Sequence, residues 1–407
     1  KPALVEAVAL NLADNTDARM ETLTEIFAAD KSKKEWLGET FHGACTEMEG
    51  AAIAQAAYLN KIPFLIVRAI SDKADDSASM DYPEFERKAI IHSTNLTRAL
   101  IRRKWESNRR RDAVRLALQP LPTGVEVLEG LPYLSGGHPM HTLNLYRPLG
   151  AEGPLPVVVD IHGGGWMYGD RELNRAYCMY LASQGWAVMG MSYRLLPEVD
   201  LRGQVQDVFA SFRWLEHHGG AYGLDLDRLC LTGDSAGGHL AGLAACIQLD
   251  PVLQALYGAA PLVHPFRALA IAHGVCDVYR FNFLKPNLDK AVTREYLRML
   301  FGPAGPSSPL WGHASFEDTA PGLPLPPILV IASEPDRYYR QSRRLIDWLD
   351  RSPLEHETLH WTRAQGERLT HVFEVSHWDW PESRETNDRT LDFFRRACAA
   401  PEKPAEE

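Results

Sequence analysis

The chain has 407 residues and a formal net charge of -10, from 43 Lys and Arg against 53 Asp and Glu. At roughly 100–200 residues per domain this length implies two or three domains, and 45% hydrophobic with 24% charged residues is ordinary globular usage, which excludes a disordered or fibrous chain. No run of about 18 apolar residues occurs, which argues against a membrane-spanning helix, and the acidic balance leaves no positive field to recruit nucleic acid or anionic lipid.

The first residues carry no apolar stretch ending in a small-residue cleavage site, so no signal peptide is expected there. Six scattered cysteines (Cys45, Cys178, Cys230, Cys246, Cys276, Cys398) form neither a C-x-x-C pair nor a cluster at zinc-ligand spacing. They read as buried apolar residues of a cytoplasmic protein.

The first elements are an Ala-rich helical stretch from Glu49 to Tyr58, a short apolar strand from Pro63 to Ile70, and a helical stretch from Pro83 to Arg102. Carboxylates stand at the start of the first helix (Glu49) and just after the strand (Asp72), and could converge at a strand end, where an α/β fold binds ligands. The strings Glu47-Met48-Glu49-Gly50-Ala51-Ala52 and Ile66-Val67-Arg68-Ala69-Ile70-Ser71-Asp72 resemble the carboxyl-terminal half of the methylthioadenosine/S-adenosylhomocysteine nucleosidases, a purine nucleoside phosphorylase-like family. That resemblance, over residues 30–100, implies ribose contacts from Met48 and Glu49 and an adenine-protonating acid in Asp72, oriented by Ser71. About half of the family's domain is missing, including the carboxylate that activates the attacking water, and general base catalysis needs a base within reach. The segment is therefore expected to be an incomplete α/β piece, structural or vestigial. Its open sheet edge suits homo-oligomer formation.

Between Ile101 and Asp112 six of twelve residues are basic. The run predicts a helix end passing into a solvated linker, giving a division into 1–105, a linker at 106–112, and a second domain at 113–400. In that domain apolar strand candidates (Leu155 to Ile161, Trp186 to Ser192, Arg228 to Thr232, Ala268 to Val275, Pro327 to Ala332) alternate with amphipathic helices, the pattern of a mostly parallel sheet with helices on both faces. Residues 281–321 interrupt the alternation with Pro, Gly and Trp and predict a lid over the carboxyl edge. The tail, 401–407, has no core-forming residue and is expected to be disordered.

Gly233-Asp234-Ser235-Ala236-Gly237 directly follows the apolar Leu229-Cys230-Leu231 and precedes a helical stretch, the strand–turn–helix setting of a nucleophilic serine. Upstream, His162-Gly163-Gly164-Gly165-Trp166 follows the strand Val157 to Ile161, and successive glycines let backbone N–H groups approach a developing oxyanion. A dinucleotide loop is excluded because G-x-G-x-x-G is missing.

With Tyr193-Arg194-Leu195-Leu196-Pro197-Glu198 between them, these motifs make residues 113–400 resemble the α/β-hydrolase fold, and within it the carboxylesterases of the hormone-sensitive-lipase type. Leu196 replaces the small residue usual there. The fold's order of serine, acid, histidine restricts the partners to positions after Ser235. The resemblance places the acid on Asp336, in the turn after Ile328 to Ser333, with Glu334 the competitor. It places the base on His371, in His371-Val372-Phe373 ahead of Pro381-Glu382-Ser383, with His377 the competitor and His360 read as a strand residue. It implies oxyanion donors on Gly164, Gly165 and Ala236, an acyl-enzyme mechanism on short-chain carboxylic esters, and no metal or cofactor. Aromatic walls are expected from among Trp166, Tyr168, Phe281, Phe283, Trp311, Trp378 and Trp380. The expected partner is a small-molecule ester, with neither nucleic acid nor membrane. Two alternatives stay open: a binding or assembly protein with an inactive hydrolase-like domain, and a bifunctional esterase with residual nucleoside hydrolysis.

Overall fold

Runs of buried Val, Ile, Leu and Ala build the centre of an eight-stranded sheet in the computed structural model, which describes residues 82–280 and 289–399. The strands are β1 (Val125–Pro132), β2 (Thr142–Pro148), β3 (Leu155–Ile161), β4 (Ala187–Met191), β5 (Leu224–Asp234), β6 (Ala268–Ala272), β7 (Ile328–Ser333) and β8 (His356–Trp361). Their order is β1-β2-β4-β3-β5-β6-β7-β8, antiparallel from β1 through β2 to β4 and parallel from β4 to β8.

The central strands are apolar on both faces because both faces are covered. On β3, Val157, Val159 and Ile161 join one core with Leu229 and Leu231 of β5 and Val330 of β7, whereas Val158, Cys230, Leu329 and Ile331 join the other. The first core is roofed by α3 (Leu201–His218), α4 (Ala236–Leu249) and α8 (Tyr339–Leu349), the second by α2 (Arg175–Ser183) and α10 (Pro381–Ala399). The remaining helices are α1 (Tyr82–Leu118), α5 (Pro251–Tyr257), α6 (Asp289–Phe301), α7 (Phe316–Thr319) and α9 (Phe373–Ser376). The five strands expected in the second domain form, whereas the strand at Pro63 to Ile70 and the helix at Glu49 to Tyr58 lie outside the described residues. Of the other strands, β1 and β8 are the sheet's two edges, where partial exposure dilutes the apolar signal, though His360 is on a strand, β8, as expected; β2 is largely buried but carries the polar Asn144.

The chain divides into two compact units, 1–97 and 98–407. The sites suggested by Met48, Glu49, Ser71 and Asp72 lie outside the described residues, as do Cys45, residues 281–288 with Phe281 and Phe283, and the tail at 401–407.

The stretch 106–112 departs from its expected character as a solvated linker. It is helical and belongs to α1, and residues 98–118 of that helix are part of the second unit. The physical reason is a stripe spaced four, three, four and three apart: Ile101, Trp105, Asn108, Asp112 and Arg115 face inward or partly inward, while Arg102, Arg103, Arg109, Arg110 and Arg111 are exposed. Among the described residues no helix is long and apolar enough to cross a membrane. Cys178, Cys230, Cys246 and Cys276 are buried and unbridged, and Cys398 is half-buried with its Sγ 3.6 Å from that of Cys230.

Candidate active site

The strand order turns at β3, which has β4 on one side and β5 on the other, so the segments leaving these strands open a crevice at their carboxyl ends. Ser235 is the single residue between β5 and α4. Its φ of 52° and ψ of -115° are strained for a residue with a side chain. The turn is held by its own backbone: Ser235 N donates to Ala272 O at 2.8 Å, and Ser235 O accepts from Val275 N and His239 N, each at 3.1 Å. A Cβ on Gly237 would lie 1.8 Å from the Ile161 carbonyl oxygen, which is why this position tolerates no side chain.

His371 follows β8 in the chain and reaches across to the serine. Its Nε2 lies 2.9 Å from Ser235 Oγ and its Nδ1 2.9 Å from Asp336 Oδ2. Asp336 sits in the turn after β7, and its Oδ1 accepts from Tyr338 N at 2.8 Å. A carboxylate accepts only, so Nδ1 of His371 carries the proton and Nε2 is left to accept from the serine hydroxyl. Burial by itself pushes the Asp336 carboxyl up, but the His371 charge and hydrogen bonds from His273 and His371 hold it well below the usual carboxylate range. The competitors are engaged differently: Glu334 Oε2 accepts from Arg363 N at 2.9 Å, His377 lines the same cavity as Ser235 but stacks on Trp380 at 4.1 Å, and His360, on β8, pairs with Tyr339 OH.

The glycine loop after β3 is pinned from several sides. Gly163 N and Asn174 Nδ2 both donate to Asp234 Oδ1 at 2.8 Å, Tyr193 OH donates to His162 O at 3.0 Å, and Gln204 Nε2 donates to Trp166 O at 2.9 Å. Arg194 grips Asp207 with a fork of hydrogen bonds, the shortest at 2.7 Å, so the Tyr193-Arg194 segment is itself anchored. Leu196 is buried in the first core, where its larger side chain finds room. Asp234 is pushed up by burial, and the Asn174 and Gly163 donors counter this. Gly164 adopts a φ of 106° and a Cβ there would lie 2.0 Å from the Tyr168 carbonyl oxygen. Gly164, Gly165 and Ser235 line one cavity of about 540 Å³ with His371, and Ala236 begins α4 beside them.

That cavity is roofed partly by α1, through Trp105, Asn108, Arg111, Asp112 and Arg115. Trp105 stacks on Tyr168 at 5.1 Å, Tyr168 OH donates to Asp112 Oδ2 at 3.0 Å, and Arg115 Nη1 donates to Ser376 O at 3.1 Å. Sequence reasoning missed this wall by reading the basic run as a linker; the four-three spacing was the available signal. Of the expected aromatics, Tyr168 lines the cavity. Trp166 is core, with Nε1 donating to His239 Nδ1 at 3.1 Å, Trp378 Nε1 donates to Pro120 O at 2.8 Å, Trp311 packs on Tyr279 and Phe301, and Trp380 stacks on His377. From the interrupting segment 281–321, Tyr296 of α6 donates its hydroxyl hydrogen to the Gly165 carbonyl. His273, Asp336 and His371 present donor atoms within 4.8 Å of one another, but both histidines spend Nδ1 on the same Asp336 oxygen, so hydrogen bonds rather than a cation account for the cluster.

Esterase B from Lactobacillus rhamnosis is 42% identical, with a TM-score of 0.72 over 75% of this chain and 96% of its own. The chain belongs to the esterases of the α/β-hydrolase fold. The BD-FAE family model matches residues 143–303 of the chain, and the Phosphorylase superfamily model matches residues 18–102. A form of esterase B inhibited by a C4-C4 tributyrin phosphonate is 43% identical over the same shares of the two chains, with a TM-score of 0.71. The versiconal hemiacetal acetate esterase of Dothistroma septosporum is 35% identical over 112 residues, 27% of this chain and 34% of its own length. Matches to curated relatives such as this one span about a fifth to a third of those proteins.

Proposed function

We propose that the chain hydrolyses short-chain carboxylic esters through an acyl-enzyme. Ser235 is the nucleophile, His371 the base that takes its proton and returns it to the leaving alcohol, and Asp336 the group that holds the imidazole tautomer. The observation that carries this reading is the unbroken line of hydrogen bonds from Ser235 Oγ through His371 to Asp336, each at 2.9 Å. The backbone N–H groups of Gly164, Gly165 and Ala236 are assigned to the oxyanion, whose stabilisation is worth about 2.7–4 kcal/mol per donor. A water activated by the same histidine then releases the acid, and no cofactor enters the scheme.

The preference for short esters has two supports. The cavity wall includes Arg111, Asp112 and Arg115, against which a long acyl chain would bury apolar surface poorly, and the inhibitor on the related esterase B is a tributyrin phosphonate. Residues 1–97 are assigned a structural or vestigial role.

The test is hydrolysis of a p-nitrophenyl ester series from acetate to palmitate by wild type and Ser235→Ala, with fluorophosphonate labelling alongside. Turnover of the short esters that disappears in the variant supports the reading. A folded wild type that neither turns over nor labels would overturn it in favour of an assembly protein.

A further inference from the structure

Directly after β6, His273 stands in the left-handed backbone region, with φ 50°, a conformation unusual for histidine. Its backbone N donates to Ile331 O at 3.0 Å, which ties it to β7. The side chain is fully buried and lies between two carboxylates: Nδ1 is 2.9 Å from Asp336 Oδ2, and Nε2 is 3.2 Å from Glu374 Oε2. The Asp336 oxygen it meets is the one that His371 Nδ1 also meets. Glu374, on α9, is as deeply buried, and among the described residues neither of its carboxylate oxygens has a hydrogen-bond partner, so its contact with His273 is an ionic one.

A neutral imidazole has one N–H and one lone pair. Flanked by two buried carboxylates, it would turn that lone pair onto one of them. A doubly protonated ring donates from Nδ1 to Asp336 and sets a positive charge 3.2 Å from Glu374, although Nε2 itself makes no hydrogen bond there. Burial alone would lower the basicity of His273, but the Glu374 charge, with hydrogen bonds and charge from Asp336, raises its pKa to about 10.

We propose that His273, held as an imidazolium between Glu374 and Asp336, is a positioning residue of the esterase reaction: it acts through Asp336, fixing the oxygen that orients His371 and sharing its negative charge. This rests on the assignment of Ser235, His371 and Asp336 given above. The consequence has a sign. His371 becomes cationic when it takes the serine proton or when the solution is acidified. The charged groups around it are Asp336 from the turn after β7, Asp234 from β5, His273 from the end of β6, Glu374 from its own segment, and Arg337, Arg111 and Arg115 at the cavity wall, with Tyr338 packed edge-on against the ring. Within this group His273 is the buried cation that touches the same carboxylate oxygen as His371. It therefore opposes protonation of the free enzyme by acid while keeping the Asp336 oxygen in line.

The discriminating variant is His273→Asn. Asparagine is among the residues most at ease in the left-handed region, and its amide can still donate to Asp336, so the backbone is spared while the charge is removed. With p-nitrophenyl acetate, the acid limb of kcat/KM should move to higher pH with KM nearly unchanged, because the charge that opposes protonation of His371 is gone while the amide still holds Asp336. Glu374→Gln, which leaves His273 a single carboxylate, should release its second proton and move the limb in the same direction. A folded His273→Asn with an unmoved acid limb overturns the proposal.

Should that variant not fold, 15N spectra of histidine-labelled wild-type chain decide the matter. One ring that stays protonated on both nitrogens from pH 6 to pH 8 and loses that state in Glu374→Gln supports the proposal, and a set of rings that are all neutral at pH 8 refutes it. Ser235→Ala run in parallel separates the two levels: if it still turns over, the nucleophile assignment fails, whereas an inactive Ser235→Ala beside an unaffected His273→Asn removes only the role of His273.

Discussion

Replacing Asp336 by Asn changes one carboxylate oxygen to an amide nitrogen, and the surroundings of the group leave no harmless way to do it. Oδ2 meets two ring N–H groups, from His273 and His371, and Oδ1 meets the backbone N–H of Tyr338. With the amide oxygen in the Oδ2 position, the NH2 group faces the Tyr338 N–H, donor against donor, at a cost of about 1–3 kcal/mol for the buried pair. With the NH2 group in the Oδ2 position, His371 must move its proton to Nε2, the nitrogen that has to accept from Ser235. Either orientation removes the negative charge that stabilises the imidazolium during proton transfer. For a triad of this geometry the loss is about 10⁴ in kcat, which is about 5.4 kcal/mol at 1.36 kcal/mol per tenfold. Asp336 does not line the cavity, so the loss should fall on kcat and leave KM nearly unchanged. The assay is steady-state hydrolysis of p-nitrophenyl butyrate at several pH values by a variant whose circular dichroism matches wild type. A kcat within tenfold of wild type, or a loss carried mainly by KM, would refute the reasoning.

His371→Ala is expected to abolish turnover and His377→Ala to lose far less, measured on the same ester; the reverse would move the base to His377. Trp105→Ala should cost about 3–5 kcal/mol in urea denaturation, because the buried ring packs on Tyr168 and against Gly165, and it should raise KM through loss of the α1 wall. Gly237→Ala drives a Cβ into the backbone of β3 and should yield no soluble folded protein, read by expression and size exclusion. For pH, the folded pKa of His273 is raised from 6.5 to about 10, so its contribution to stability is complete below about pH 6.5 and fades as pH rises towards 10. Asp336 is depressed from 3.8, so its contribution holds above that value and fades as pH falls below it. Thermal melts from pH 6.5 to 10 should decline in wild type and decline less in His273→Asn.

The linear sequence was sufficient for features whose cause is local. The β3, β4, β5, β6 and β7 strands announce themselves because a strand buried on both faces carries a near-continuous apolar run, and the small residues at 233 and 237 announce a turn through which only glycine fits. Motif order pointed to Ser235, Asp336 and His371 as candidates, and His371 lies 2.9 Å from both Ser235 Oγ and Asp336 Oδ2. What depended on packing was not legible. The basic run after Ile101 looks solvated when charges are counted along the chain, yet on a helix Arg102, Arg103, Arg109 and Arg110 share one side while Trp105, Asn108, Arg111, Asp112 and Arg115 line the cavity. Nothing in the sequence marks His273 either, since an isolated histidine after a strand acquires meaning only when β6, β7 and α9 bring it between Asp336 and Glu374. Local sterics and hydrophobic period are properties of a few neighbouring residues, whereas the charge and tautomer of a buried side chain are set by groups that are close only after the chain has folded.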